Sequence, residues 1–185
     1  MDNEKTFAEK LSLILEKNKI ITHDESIAMQ KAFHDSEKEQ FDDFLIEEGL
    51  VEESELLRAL SEYYKVPAFD VLGYFFDRNL LVKFPKGFLL REAIVPLQVE
   101  NDILSVVASN PDKDGLESSI RDFVSYDIVF MVGLKRDICD AVKEFFDQSP
   151  TEVQQDEDLR QERMVEHELE DLADRSEPVI KTEED

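Results

Sequence analysis

A chain of 185 residues, 42% hydrophobic and with 13 phenylalanines, is long enough for one domain or two small ones around a real core. Its net charge of −24, from 45 acidic and 21 basic residues, excludes nucleic acid and anionic lipid as natural partners, since binding those rests on Lys and Arg displacing counterions. No apolar run approaches the ~20 residues of a membrane span, and a lone cysteine, Cys139, excludes an internal disulfide.

The acidic opening MDNEKTFAEK has no apolar signal core. With the single cysteine, this points to a reducing compartment, the cytoplasm. Residues 151–185 hold 14 acidic and 4 basic side chains, which leaves −14 on residues 1–150. The acidity is therefore not only a property of the tail. It keeps the chain soluble, and it would steer a basic protein partner toward it.

In chain order, Phe7, Leu11, Ile14 and Leu15 share one face of a predicted helix over 6–18. Thr22 and Glu25 form a capping box for a second helix, 23–33, that carries Ile27, Ala28 and Phe33. Ser36 and Glu39 repeat that box before a third helix with Phe41, Phe44 and Leu45, which Gly49 ends. A fourth helix spans 52–64, its start favoured by Glu52 and Glu53 and its apolar face made by Leu56, Leu60 and Tyr63 or Tyr64. Pro67 then stops the helical half, and Phe69 and Val71 are expected to pin that half to the rest of the chain.

The first helix pair resembles the second. An offset of thirty aligns Leu11 with Phe41, Ile14 with Phe44, Leu15 with Leu45 and Ile20-Ile21 with Leu50-Val51, then slips by one so that Ile27 matches Leu56. Two helical hairpins forming a four-helix bundle are the expected result.

Past Pro67 the pattern changes. FFDRNLLVKFP (75–85) reads as a short helix halted by Pro85. Strands over 93–100 and 103–109 are joined by the two-residue turn Asn101-Asp102. A helix (115–125), a third strand (126–133) and a last helix (135–146) complete an α-β-β-α-β-α order. The predicted class is α+β, with a helical bundle over 5–66, a small three-stranded sheet with helices over 67–147, and an acidic tail over 148–185. In the tail, 156–175 carries a thin apolar stripe and the last ten residues read as disordered.

No arrangement of catalytic residues stands out. The five glycines are too far apart for a phosphate-cradling loop, and there is no Gly-Lys-Ser/Thr. His23, His34 and His167 have no partners at metal spacing. Cys139 sits mid-helix among acidic neighbours that disfavour its thiolate. The sequence nominates no catalytic, cofactor-binding or metal residue, no cofactor, and no enzyme activity.

The stretch FLIEEGLVEESELLRALSEYYKVPAFDV (44–71) resembles the N-terminal domain of secretion and pilus-assembly ATPases of the GspE/PilB/MshE type. The likeness continues through LLVKFPKGFLLREAIVPLQVENDILSVVASNPDK (80–113) and covers about residues 5–147 in order. The resemblance implies a bacterial adaptor, peripheral to the inner membrane, that docks a motor onto the cytoplasmic part of an assembly platform of a type II secretion or type IV pilus machine. Here the tail stands where the linker to a motor would begin, so the expected role is an adaptor or regulator binding a platform component or its ATPase. A paralogue competing for the same dock is a further reading.

Some family members bind cyclic di-GMP through two motif copies that open Arg-Leu-Gly and close in Gln. The matching positions here are Lys10-Leu11-Ser12 closing near Phe33, and Gln40-Phe41-Asp42 closing at Tyr63. Both arginines and both glycines are replaced, and Asp42 would set a carboxylate beside a phosphate. These departures argue against cyclic di-GMP, and a divergent receptor for it stays as the alternative function.

Overall fold

Two helices end in the same way thirty residues apart. In the first, Lys19 N–H donates to Glu16 O at 2.9 Å and Ile20 N–H to Leu15 O at 3.0 Å. In the second, Gly49 N–H donates to Ile46 O at 3.0 Å and Leu50 N–H to Leu45 O at 2.9 Å. Both pairs have the Schellman pattern, which needs a left-handed residue just past the helix. Lys19 (φ 59°) and Gly49 (φ 64°) supply it. The duplication read from the sequence therefore extends to the hydrogen bonds of the helix ends.

These contacts come from a computed structural model, which describes the backbone of residues 2–147 and the side chains from Phe7 onward. Four helices lead: α1 (Asp2–Lys17), α2 (His23–His34), α3 (Phe41–Glu47) and α4 (Glu53–Tyr64). Next come α5 (Arg78–Leu81), α6 (Lys86–Glu92), strands β1 (Ile94–Glu100) and β2 (Ile103–Ala108), α7 (Leu116–Arg121) and β3 (Asp127–Val132). A last helix, α8, occupies 135–147. Among the described residues this makes an α+β chain of eight helices and one three-stranded mixed sheet. The predicted tail, including its stripe over 156–175, lies outside the described residues.

Contacts group Met1–Lys143 as one unit and Glu144–Asp185 as another. The described part of the second is the end of α8, where the rings of Phe145 and Phe146 meet edge to face at 5.1 Å.

The core of the first four helices comprises, among others, Leu11, Leu15, Ile21, Phe41, Leu45, Val51, Leu56 and Leu60. Phe33 joins it through the rings of Phe41 (5.2 Å) and Phe44 (5.5 Å). The repeat does not slip in α2 as predicted. Ser26, thirty residues before Leu56, is the buried position, while Ile27 is 55% exposed. A serine at a core position disguises the period. It is tolerated because Gln30 donates to it at 3.2 Å and Glu16 is hydrogen-bonded to it.

The Thr22 capping box forms as expected. The second one does not: α3 starts after Gln40, which makes no side-chain cap. Ser36 Oγ instead donates to Phe33 O at 2.7 Å, closing the turn at the end of α2.

The sheet runs β1-β2-β3. β1 and β2 are antiparallel around Asn101 (φ 51°) and Asp102 (φ 62°), the paired left-handed residues of a tight hairpin. β1 is an edge strand, so Pro96 can sit inside it without breaking a ladder. β2 and β3 are parallel, with α7 in the crossover.

The segment after Pro67 is where the helices meet the sheet. Val132 N–H donates to Pro67 O, and Phe69 N–H donates to Val132 O, each at 2.9 Å, so Ala68 bridges Val132 in parallel fashion. The extended stretch that Pro67 enforces thus lies along β3. Val132 and Leu134 in turn belong to the core of the four helices.

Pro85 does not end a helix. With φ −62° and ψ 135° it is the N-cap of α6, a helix the sequence reading missed. Residues 75–77 likewise lie outside α5, which begins at Arg78 under an Asp77 cap.

Candidate functional site

Among the concavities of the first unit, a cleft and a groove bring polar side chains together. The first, of about 230 Å³, is walled by Phe7 of α1 and by Tyr63 and Tyr64 at the end of α4. Phe7 meets Tyr63 edge to face at 4.9 Å, and Tyr63 meets Tyr64 at 4.8 Å. Gln40 and Asp42, at the start of α3, form a second side. Ser109, Asn110 and Asp112, from the loop leaving β2, close the third.

The cleft collects three positions of the second motif copy, Gln40, Asp42 and Tyr63. The first copy is not assembled there. Lys10 is exposed and Phe33 packs in the aromatic group of α3. Ser12 is fully buried in the helical core, where its Oγ makes no hydrogen bond. Among the described residues lining the cleft, Asp42 and Asp112 are charged and none is Lys or Arg. A phosphodiester placed there would face two carboxylates, an arrangement costing on the order of several kcal/mol when water is excluded. The contribution of Ser109, Asn110 and Asp112 was not legible in the sequence, because only the tertiary fold brings them to Tyr63.

The second concavity is a groove of about 630 Å³. Ile46, Val51, Leu57, Ala68 and Leu134 give it an apolar floor. Glu52, Glu53, Arg58, Asp70 and Arg136 give it a charged rim, and the buried Asp137 also lines it. Arg136, in the first turn of α8, pairs with Glu53 of α4 and donates from Nε to Asp137 Oδ1 at 3.1 Å. These two carboxylates hold the guanidinium pKa above its usual range. Burial pushes the Asp137 carboxyl up, against the opposing pull of Arg136.

Elsewhere the ionisable groups are dispersed. His23 Nδ1 lies 3.2 Å from Glu16 Oε2 on the surface, and His34 is exposed at the end of α2. Cys139 is half-buried on α8, and burial raises its thiol pKa. His167 lies outside the described residues. Among the described residues no three His, Cys, Asp or Glu side chains gather to hold a metal ion, and no helix is long and apolar enough to cross a membrane.

Comparison with known proteins agrees with this architecture. The profile of the MshEN domain matches residues 64–152, a stretch that starts just after both motif copies. The structure of MshE with cdg superposes with a TM-score of 0.60 at 19% identity, covering 72% of this chain and 96% of that one. The N-terminal domain of XpsE superposes with a TM-score of 0.55 at 18% identity, covering 74% of this chain and 94% of that one. A search of curated proteins gives no match. At these identities the structural likenesses establish the fold. Over residues 64–152 the chain is thus similar to the MshEN family, and its described part shares the fold of MshE and of the XpsE N-terminal domain.

Proposed function

We propose that this chain is a non-enzymatic adaptor or regulator that docks onto a cytoplasmic component of an inner-membrane assembly platform, or onto its ATPase. The observation that carries this reading is the groove between α4, the Pro67–Asp70 link and α8. Its apolar floor and ion-paired rim are the composition of a protein-binding surface: an apolar centre with charge at the edge. Residues 5–66 and 67–147 are its two working parts, and the acidic segment 148–185 is a second contact for a basic partner. The chain would then sit in the cytoplasm, held at the inner membrane through that partner.

The test is a binding titration of the full chain against purified cytoplasmic regions of secretion and pilus platform proteins and a motor ATPase of such a machine. Micromolar or tighter binding, weakened by Leu57→Asp on the groove floor, is the expected result. No binding to any of them would remove the proposal.

A divergent cyclic di-GMP receptor is the second reading. One observation favours it: the fold is shared with MshE, whose structure was solved with cdg. Calorimetry with cyclic di-GMP separates the two. Micromolar binding abolished by Gln40→Ala, at the opening of the second motif copy in the cleft, would establish the receptor, and absence of heat at millimolar ligand would dismiss it.

A further inference from the structure

Between the link and α5, the segment 71–77 holds three consecutive aromatic residues, Tyr74, Phe75 and Phe76. Its backbone is fixed at several points. Val71 is buried, Asp70 Oδ1 accepts from Leu72 N–H at 2.9 Å, and Val71 O accepts from Tyr74 N–H at 3.2 Å. At the far end Asp77 Oδ1 accepts from Asn79 N–H at 2.9 Å.

The rings alternate, as side chains of extended backbone do. Tyr74 turns inward between Phe69 (5.4 Å) and Phe76 (5.0 Å), meeting both edge to face. Phe75 points the other way and is 95% exposed, with Leu72 58% exposed on the same segment. No other large apolar side chain among the described residues is as exposed. An aromatic ring presented on a fixed backbone is a binding anchor, because little ordering remains to be done on association.

We infer that Phe75, with Leu72, is the anchor by which this domain enters an apolar pocket on a protein partner whose rim is basic. The inference rests on the adaptor reading and names its contact. The exposed carboxylates of Asp70 and Asp77 bracket the anchor, and the chain carries −24. That charge opposes an anionic bilayer, nucleic acid, or a second copy of the same chain, and favours a cationic rim.

Phe75→Ser in the full chain tests it against the purified platform regions and ATPase of the adaptor titration. The variant is expected to keep its urea midpoint, since the ring contributes little packing. Its affinity should fall at least about 30-fold, and wild-type affinity should fall as salt is raised. Unchanged affinity of Phe75→Ser for a partner that wild type binds would overturn the anchor and leave the adaptor reading standing. Failure of wild type to bind any of these proteins would remove both. Flotation with phosphatidylethanolamine–phosphatidylglycerol vesicles and sedimentation of the free chain complete the test. Phe75-dependent vesicle binding or self-association would overturn the inference in favour of a membrane or a second copy.

Discussion

Gly133 lies where β3, the Pro67–Phe69 link and α8 converge, and replacing it with alanine tests how that junction is packed. Its backbone is not left-handed, so the substitution meets no conformational penalty. By itself, losing glycine's freedom in the unfolded chain would stabilise the fold by about 0.4–1 kcal/mol. Packing opposes this. An added Cβ would lie 2.5 Å from Val107 Cγ1, 3.2 Å from Ile138 Cδ1 and 3.3 Å from the Phe69 carbonyl oxygen. Val107 and Ile138 are fully buried, and a β-branched valine has little rotamer freedom with which to retreat. Overpacking of this kind costs about 1–3 kcal/mol, so a net loss of about 1–2 kcal/mol is expected. With a urea slope of about 2 kcal/mol per molar, the unfolding midpoint should fall by roughly 0.5–1 M. Val107→Ala removes the colliding methyl and opens a hole that the new methyl partly fills. The double variant should therefore be more stable than the sum of the singles predicts by about 1 kcal/mol or more. A Gly133→Ala midpoint at or above wild type, or additivity within about 0.5 kcal/mol, would refute the reasoning.

Two further predictions concern the same region. Burial raises the Asp137 pKa, so the folded state binds that proton more readily than the unfolded chain does. The associated stability is full below the unfolded carboxylate pKa and is lost as pH rises through the folded one. Asp137→Asn should therefore be at least as stable as wild type at pH 7 and lose that advantage near pH 4, read from urea midpoints at both values. Pro67→Ala keeps the carbonyl that accepts from Val132, and α4 is already ended by left-handed Lys65 and by Ser61 Oγ donating to Val66 O at 2.6 Å. A loss of about 0.4–1 kcal/mol, faster amide exchange at Phe69 and Val132, and unchanged helical circular dichroism are expected. A longer α4 would contradict this.

What the sequence disclosed was local. The thirty-residue repeat was legible because Leu11, Leu15 and Ile21 have apolar counterparts in Phe41, Leu45 and Val51, and all six are buried. It faded at Ser26, whose burial depends on Glu16 and Gln30, polar partners that no apolar period reveals. Ser36 and Glu39 had capping-box spacing, yet Ser36 bonded backward to Phe33 O, a choice made by the turn after α2. Pro85 read as a stop and proved a start, since its fixed φ suits either end of a helix. The cleft was half visible: Gln40, Asp42 and Tyr63 stood out through the motif comparison. Asp112 and Asn110 are brought there by the tertiary fold, and Arg136 and Asp137 reach the groove in the same way. Phe75, read as helical, owes its exposure to Asp77 starting α5 two residues later.

The bridge between Ala68 and Val132 spans 64 positions of sequence, and Val132 and Leu134 plug the hydrophobic interior of helices that were synthesised long before them. A nascent polypeptide leaves the ribosome amino end first, so α1 to α4 emerge with an unsealed apolar side. Closing it must await β3, at the entropic expense of a long loop. The first helices out are therefore among the last to be locked, and a ribosome stalled before residue 132 would display an opening that holdase chaperones recognise.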